Sequence, residues 1–242
     1  MPQEISRRFF LALTGGALSA SRLAGRAKAP VDPHSPALLD HILLGCSDLE
    51  RGIDFIEQRT GVRAAFGGVH PGRGTRNALL SFGERHYFEI IAPDPAQPAV
   101  PDSRGLTKLT EPRLIGWAEH PGDLTPFATR LREAGLAFDG PTPGSRKRLD
   151  GRLLQWKALN LREDHGGLLP FFIEWSADSP HPSEDAPKGC QLVDFSLETP
   201  KPAEIKPICT RLNLDVRVEQ DEEPRLHARI AGLNGKIMTV TS

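Results

Sequence analysis

Apolar and polar positions follow one another in the same order three times along the chain. The first round opens with an apolar segment at Leu38–Gly45, which predicts a strand. Asp48 is typical of a helix N-terminus and Gly61 of a helix C-terminus, so a helix is predicted between them. Alternating segments then predict three more strands, near Val62–Phe66, Asn77–Phe82 and Tyr87–Ala92. The first round therefore predicts a βαβββ unit.

The second and third rounds repeat this order. The second predicts a strand at Leu114–Glu119, a helix that begins at Asp123, and strands at Leu136–Phe138, Arg152–Leu161 and Leu169–Trp175. The third predicts a strand at Gln191–Glu198, a helix near Ala203–Leu212, and strands near Leu214–Glu219, Leu226–Ile230 and Lys236–Val240. Because such a unit cannot bury both faces of its sheet alone, we expect the units to pack together.

Composition narrows the possible classes of function. The chain has 30 Lys and Arg residues against 31 Asp and Glu residues, which gives a formal net charge of −1. A nearly neutral chain lacks the broad positive field that holds a nucleic-acid backbone, so nucleic acid is excluded as a partner. The 22 prolines and 23 glycines favour many turns and short connections. The expected fold is α+β and rich in strands.

The N-terminal segment, residues 1–29, has features of an export signal. Ser6-Arg7-Arg8-Phe9-Phe10-Leu11 resembles the twin-arginine consensus, and a mild apolar stretch follows it. That stretch is too short for a stable membrane span, which needs roughly 20 apolar residues. Ala27-Lys28-Ala29 offers small residues at a cleavage site. We therefore expect a periplasmic or secreted protein, the alternative being a basic N-terminal arm on a cytoplasmic one.

Three segments of the first round resemble a known module. Leu39-Asp40-His41-Ile42, the helix at Asp48 and Tyr87-Phe88-Glu89-Ile90 are similar to the opening and closing elements of a vicinal-oxygen-chelate module. The run His70-Pro71-Gly72-Arg73-Gly74-Thr75-Arg76-Asn77 resembles the GTxN loop of glyoxalase-like proteins. The resemblance covers residues 38–178. It implies a glyoxalase-like domain in which two βαβββ modules form an incomplete barrel around a cup that holds a divalent metal.

The third unit, residues 190–242, resembles this module only in layout. We expect it to pack on the glyoxalase-like domain or to extend it. It follows a proline-rich linker, residues 178–189, and has no fourth unit to pair with in the chain. A unit without a partner favours pairing between protomers, so a homodimer is expected.

Strand alternation gives a candidate set of metal ligands. His41 lies on the opening strand of the first module, and alternation allows it to face the cup. Glu89 and Glu174 lie on the closing strands of the two modules, and each shares its face with an aromatic neighbour. A carboxylate in such surroundings needs a partner or a cation. One imidazole and two carboxylates suit Mn, Fe, Ni or Zn. The resemblance implies ligands at these three positions, and a fourth where this chain has Gly116. The alternative is a hydrogen-bonded core histidine, with both glutamates paired to arginines.

The loop and the closing strands supply candidate ligand-binding residues. We expect six of them to contact the ligand: Arg73, Thr75, Arg76, Asn77, Tyr87 and Phe172. The loop arginines would clamp a carboxylate or oxyanion, although a plain surface hairpin is the alternative for this loop. A second basic run, at residues 144–148, is interpreted as a solvated turn, although it would favour an anionic small molecule if both loops flank the cup. Trp156 and Trp175 are interpreted as core residues.

Two functions are compatible with these residues. The first is a metal-dependent enzyme of the isomerase, lyase or dioxygenase type that acts on a small, oxygen-rich, anionic substrate. In it, the metal would bind two vicinal oxygens, and Glu89 or Glu174 would move the proton as the catalytic residue. The second is a metal-free protein that binds a small molecule, of the bleomycin-resistance kind.

Overall fold

The computed structural model describes residues 34–98, 100–101 and 105–242. The segment with the export-signal features lies outside these residues. In chain order the twelve strands are β1 (Leu39–Gly45), β2 (Ala65–His70), β3 (Thr75–Gly83), β4 (His86–Pro93), β5 (Arg113–Glu119), β6 (Phe138–Lys147), β7 (Leu153–Leu161), β8 (Phe171–Trp175), β9 (Gln191–Thr199), β10 (Arg217–Gln220), β11 (Arg225–Ala231) and β12 (Ile237–Thr241). The helices are α1 (Leu49–Thr60), α2 (Leu124–Glu133), α3 (Pro182–Asp185) and α4 (Pro202–Leu212), with a short 3₁₀ turn at Leu106–Lys108.

The capping residues define the first two long helices as predicted. Asp48 precedes α1, and its side chain accepts a hydrogen bond from the backbone N–H of Arg51 at 2.9 Å. Gly61 ends the helix in the left-handed conformation, at a φ of 75° that suits glycine. Asp123 precedes α2 and accepts from the N–H of Thr125 at 2.7 Å. Both caps satisfy N–H groups that lack partners within the helix.

The first eight strands form one strongly curved sheet in the order β1-β4-β3-β2-β6-β7-β8-β5. Within each module the opening strand lies parallel to the closing strand, as β1 does to β4 and β5 to β8. The two modules meet along the antiparallel pair β1–β5 and again at β2–β6, where Val69 and Lys147 form the single registered pair. The α+β fold of paired βαβββ modules predicted from the sequence is confirmed.

Strand β6 is much longer than predicted, and this corrects the interpretation of the second basic run. Residues 144–147 lie within β6 and do not form a solvated turn. Pro141 and Pro143 break the sequence pattern of a strand, because proline cannot donate to the hydrogen-bond ladder. A register shift between Asp139 and Thr142 accommodates them. As a result, Arg146 belongs to a strand of the curved sheet.

The third unit has the predicted order of elements but a different pairing of strands. Its sheet has the order β10-β9-β11-β12, so β9 lies parallel to the strand after the helix, whereas β1 lies parallel to the last strand of its module. The unit packs on β5 of the curved sheet, where the rings of Trp117 and Phe195 lie 5.1 Å apart. In the part of the chain that the structure describes, no helix has the length and apolar character to cross a membrane.

Candidate functional site

A cavity of about 980 Å³ lies on the concave face of the curved sheet, and we refer to it as the cup. Strand alternation sends side chains from both modules into it. The polar part of its wall includes His41, His70, Asn77, Glu89 and Arg146. The aromatic part includes Tyr87, Trp156, Phe171 and Trp175. A cavity of this size and mixed lining is typical of a small-molecule site.

His41 lies on β1, as predicted, and points its Nε2 toward Glu89. Its Nδ1 lies 2.7 Å from Oδ1 of Asp40. Adjacent residues of a regular strand face opposite sides, but a register shift between Leu39 and His41 against β5 puts an extra residue, Asp40, into the strand. The imidazole also stacks on Tyr87, with ring centroids 4.5 Å apart. The ring orientation of His41 is therefore fixed by Asp40 and Tyr87.

Asp40 is a buried carboxylate with three donors. Besides His41, it accepts a hydrogen bond from Nε1 of Trp175 at 3.1 Å and lies 3.2 Å from Nε2 of His181. Burial alone raises the pKa of Asp40, but the hydrogen bonds from His181 and His41 lower it well below its usual value. Asp40 is therefore ionised and only accepts hydrogen bonds, so His41 must carry its proton on Nδ1.

Glu89 lies on β4, as predicted, and also faces the cup. Its Oε1 accepts a hydrogen bond from Nδ2 of Asn77 at 2.8 Å and lies 3.8 Å from Nε2 of His70. Its Oε2 lies 3.4 Å from Nε2 of His41. Burial alone raises the pKa of Glu89, but the charges of His41 and His70 and the Asn77 hydrogen bond lower it below its usual value. The carboxylate is therefore held in its ionised form.

Arg146 enters the cup from β6 and is 3% exposed. Its Nη1 lies 3.4 Å from Oδ1 of Asn77, and its Nε has no hydrogen-bond partner among the residues that the structure describes. Two glycines of β2 give it room. A Cβ at Gly67 would lie 2.6 Å from Nη1 of Arg146, and one at Gly68 would lie 3.0 Å from its Cγ and 2.2 Å from the carbonyl oxygen of Lys147. The absence of side chains at these positions lets the guanidinium lie across β2.

The structure does not bring Glu174 to the cup, which corrects its predicted roles as metal ligand and catalytic residue. Its Oε2 accepts a hydrogen bond from the backbone N–H of Leu124 at the start of α2, at 2.7 Å. Its Oε1 pairs with Nζ of Lys157 at 3.2 Å. A carboxylate at a helix N-terminus is stabilised by the helix dipole. Glu174 therefore supports α2 from the convex side of the sheet.

Phe172 is likewise not a ligand-binding residue. It is fully buried against Phe127 of α2, with ring centroids 4.4 Å apart. The cup-facing residues of β8 are Phe171, Ile173 and Trp175. The predicted face of β8 was thus wrong by one residue, and a shift of one residue exchanges the two faces of a strand.

The loop residues expected to bind the ligand line the cup to different depths. Asn77 is buried in its wall, and Thr75 holds Nδ1 of His70 through its Oγ1 at 2.9 Å. Arg76 is half-buried, whereas Arg73 is exposed at the mouth and donates to the carbonyl oxygen of Pro143 at 3.5 Å. Tyr87, predicted to line the cup, is also placed in its wall.

The sequence interpretation missed several cup residues. Arg146 was assigned to a solvated turn, and the role of Asp40 in orienting His41 was not predicted, because the bulge has no clear sequence signal. Trp156 and Trp175 were taken as core residues, yet both line the cup. One available signal was the Asp40-His41 pair itself, since two polar residues interrupt an otherwise apolar strand.

The donor set does not fit the metal implied by the fold. Within residues 34–98, 100–101 and 105–242, no group of three or more His, Cys, Asp or Glu side chains is arranged to hold a metal ion. His41, His70 and Glu89 all come from the first module, whereas β8 of the second module offers only Phe171, Ile173 and Trp175 to the cup. Glu89 is already hydrogen-bonded, and the cation of Arg146 lies close enough to influence its pKa. This wall resembles a site for an organic anion more than a chelating site.

The fold and the cup together define a glyoxalase-like module pair of the vicinal-oxygen-chelate type. The family model for the glyoxalase-like domain matches residues 39–212, which extend from β1 to the end of α4. The chain belongs to this glyoxalase-like domain family. No curated protein sequence matches it significantly.

Several solved structures align with this chain at low sequence identity. A hypothetical protein from Staphylococcus aureus aligns with a TM-score of 0.58 and 15% identity, over 83% of this chain and 84% of that chain. Methylmalonyl-CoA epimerase from Mycobacterium tuberculosis aligns with a TM-score of 0.41 and 22% identity, over 57% and 87%. A methylmalonyl-CoA epimerase in complex with methylmalonyl-CoA and NH₄⁺ gives 0.43 and 22%, over 60% and 100%. At 15% identity the likeness to the Staphylococcus aureus protein concerns the fold alone.

Proposed function

We propose that this glyoxalase-like domain binds a small organic anion in the cup, without a chelated metal. The observation that carries the proposal is a set of three arginines at one cavity: Arg73, Arg76 and Arg146. Among the described residues, none of the three forms an ion pair with a carboxylate, unlike Arg63 or Arg148 elsewhere in the chain. A buried guanidinium without a counter-charge is unfavourable, and a bound carboxylate would supply one.

The charges within the cup support an anion with oxygen atoms at one end. The charge of Glu89 interacts with that of Arg146, but Oε1 of Glu89 already accepts a hydrogen bond from Asn77 and its two oxygens lie beside His41 and His70. Arg146 therefore retains unused hydrogen-bonding capacity, including the unpaired Nε. A ligand carboxylate would take up that capacity with charge-assisted hydrogen bonds.

Thermal unfolding of the full chain with benzoate, 2-oxoglutarate and the neutral control benzamide tests this proposal. We expect the two carboxylates to raise Tm in wild-type protein and in Arg162→Gln, an exposed arginine outside the cup, but not in Arg146→Gln. Equal shifts with benzamide, or in Arg146→Gln, would contradict the proposal. Binding should also survive EDTA treatment. A stoichiometric divalent metal in the purified protein, lost together with binding in His41→Ala, would support the metal-dependent alternative instead.

A second candidate function is proton transfer to or from the bound anion, and the Asp40–His41 hydrogen bond favours it. The hydrogen bond to the buried Asp40 fixes the ring of His41, so that its Nε2 and the carboxylate of Glu89 lie side by side at the cup as candidate proton-transfer groups. The expected reaction removes a proton from the carbon next to the ligand's carboxyl or carbonyl group. Proton NMR in D₂O would follow loss of the signal of the C3 hydrogens, next to the keto group, of 2-oxoglutarate and phenylpyruvate. Exchange no faster than in His41→Asn or Glu89→Gln would exclude this function.

Export and assembly are further proposals. The twin-arginine motif at residues 6–11 supports export to the periplasm or the medium, and fractionation of cells that express the full chain, compared with Arg7→Lys/Arg8→Lys, would test it.

The sheet of the third unit ends at β10 and β12, and an open sheet edge supports pairing with a second copy. Sedimentation equilibrium would test the proposed homodimer, and a strictly monomeric protein would contradict it.

A further inference from the structure

We infer that the anion bound in the cup carries a planar aromatic ring system, so that the ligand is an aryl carboxylate. This inference rests on the proposed function and makes it more specific. It follows from the placement of two tryptophans beside Arg146, on the part of the wall contributed by β6, β7 and β8. Their rings lie on the cavity surface, although indole rings are normally buried in a protein core.

Trp156 and Trp175 face each other across adjacent strands. They are directly opposed in the β7–β8 register, and their ring centroids lie 5.2 Å apart at an interplanar angle of 54°. Phe171 and Tyr87 also line the cup and add aromatic surface near His41. Aromatic rings at such separations favour offset-stacked or edge-to-face contacts with a third ring. The cup therefore offers several ring surfaces to one flat ligand.

Gly144 determines how the Trp156 ring lies. This glycine is opposite Trp156 in the β6–β7 register, and a Cβ on it would lie 2.4 Å from Nε1 and 2.5 Å from Cε2 of the indole. The indole is therefore pressed against the bare backbone of β6. Trp175 and, edge-on, His70 also pack near this indole, yet it is only half-buried and lines the cup, so part of its surface is available to a ligand ring.

The orientation of Trp175 is fixed through its polar edge. Its Nε1 donates to Oδ2 of Asp40 at 3.1 Å, so the nitrogen needs no hydrogen-bond partner from a ligand. His181, which also contacts Asp40, packs edge-on against the same indole with centroids 5.8 Å apart. A ring held in this way loses little side-chain freedom on binding, which favours affinity.

The aromatic wall and the buried cation are correctly spaced for one small molecule. Arg146 and Gly144 are two residues apart on β6, about 7 Å at ~3.3 Å per residue. Because Trp156 covers Gly144, the guanidinium and the indole are neighbours on the same face of the sheet. A ligand whose carboxylate contacts Arg146 thus places its ring over Trp156. The cavity volume of about 980 Å³ admits a bicyclic ligand.

Isothermal titration calorimetry with three probes of similar size tests the inference. The probes are 2-naphthoate, its saturated analogue decahydro-2-naphthoate, and the neutral 2-naphthamide. We expect 2-naphthoate to bind about fivefold to tenfold more tightly than the saturated acid, because only the flat ring stacks on the indoles. Trp156→Leu should remove this preference, while Trp156→Phe should retain most of it. Circular dichroism would establish that both variants are folded.

The outcomes separate this inference from the proposed function. Equal affinity for the aromatic and the saturated acid, with weak binding of the amide, would overturn the aromatic preference and leave the anion site standing. Equal affinity for naphthoate and naphthamide would overturn the anion site and hence the aryl carboxylate. If none of the three probes binds, the inference fails, and the proposed function is decided by the Tm shifts with benzoate and 2-oxoglutarate.

Discussion

Nδ1 of His41 and Oδ1 of Asp40 lie 2.7 Å apart although the two residues are consecutive in a strand. This contact depends on the bulge at Asp40, which turns two side chains that would diverge in a regular strand toward each other. Asp40 in turn connects His41 to Trp175 and to His181, which precedes α3. One buried carboxylate therefore joins the polar and the aromatic parts of the cup to the segment that follows β8.

We predict that Asp40→Asn lowers the free energy of unfolding by about 3 kcal/mol, because it removes a buried charge from its cationic or hydrogen-bonded partners. An amide also cannot accept from all three donors. Urea unfolding would measure the loss, and long-range ¹H–¹⁵N spectra would show a change of the His41 tautomer. Asp48→Asn is the matched control, because asparagine caps a helix as well as aspartate. An unchanged His41 spectrum would show that Asp40 does not orient this ring.

We predict that Gly67→Ala has a larger effect on the free energy of anion binding than on the free energy of unfolding. The added Cβ would lie 2.5 Å from Oδ1 of Asn77 and 2.6 Å from Nη1 of Arg146, so the guanidinium must move. A stability loss of about 1–3 kcal/mol is expected from the overpacking. Gly151→Ala is the control. Its φ of 82° makes alanine unfavourable, but no atom lies within 4 Å of the added Cβ. Benzoate titration should separate the two variants, and equal affinities would refute the role given to Gly67.

We predict opposite phenotypes for alanine at the two phenylalanines of β8. Phe172→Ala should cost about 3–5 kcal/mol of stability, because it opens a cavity under α2, and should leave ligand affinity unchanged. Phe171→Ala should cost about 1 kcal/mol, because its ring is only half-buried and faces the cup, and should weaken ligand binding. Urea unfolding together with calorimetry would check both. The reverse pattern would mean that the faces of β8 are assigned incorrectly.

We predict that Glu119 makes the protein less stable as the pH rises from about 4.5 to about 8. Glu119 is 2% exposed at the end of β5, and its Oε1 has no hydrogen-bond partner among the described residues. Burial, and then the charge of Asp215, raises the pKa of Glu119 from 4.5 to about 8. Above pH 4.5 the unfolded chain releases this proton while the folded chain keeps it, so stability is full below pH 4.5 and is lost as the pH passes through the folded pKa.

Urea unfolding of wild type and Glu119→Gln at pH 5 and pH 8.5 would measure this effect. The neutral amide does not titrate. The free energy of unfolding of the variant minus that of wild type should therefore be larger at pH 8.5 than at pH 5. Parallel behaviour of the two proteins at both pH values would show that Glu119 titrates normally.

The sequence predicts the elements of this fold better than the faces of its strands. Capping residues define a helix boundary locally, so Asp48 and Gly61 were sufficient for α1. In β8, by contrast, both faces of the strand carry apolar residues, and Glu174 is the one polar residue in 171–175. Only packing against α2 decides which set is buried, and that depends on residues distant in the chain. Alternation alone could not place Glu174 or Phe172.

The candidate site was predictable on the first module and not on the second. His41, Asn77, Tyr87 and Glu89 were identified because strand alternation and a family resemblance agree there, and all four line the cup. Arg146 was missed because Pro141 and Pro143 indicate a turn, whereas a register irregularity lets β6 continue past them. Long-range register and bulges depend on the partner strand, so a single sequence carries little information about them.

The passage of Arg146 across Gly67 means that the two modules contribute unlike chemistry to one cavity. The first supplies the carboxylate and imidazole groups and the two arginines nearer the mouth, and the second supplies the buried guanidinium and the indoles. Two copies of the first module would lack the buried guanidinium and the indole wall, and two copies of the second would lack the carboxylate and the histidines. The charged and aromatic parts of this cavity therefore depend on the divergence of the two halves, and exchanging either half for a copy of the other would remove one of those parts.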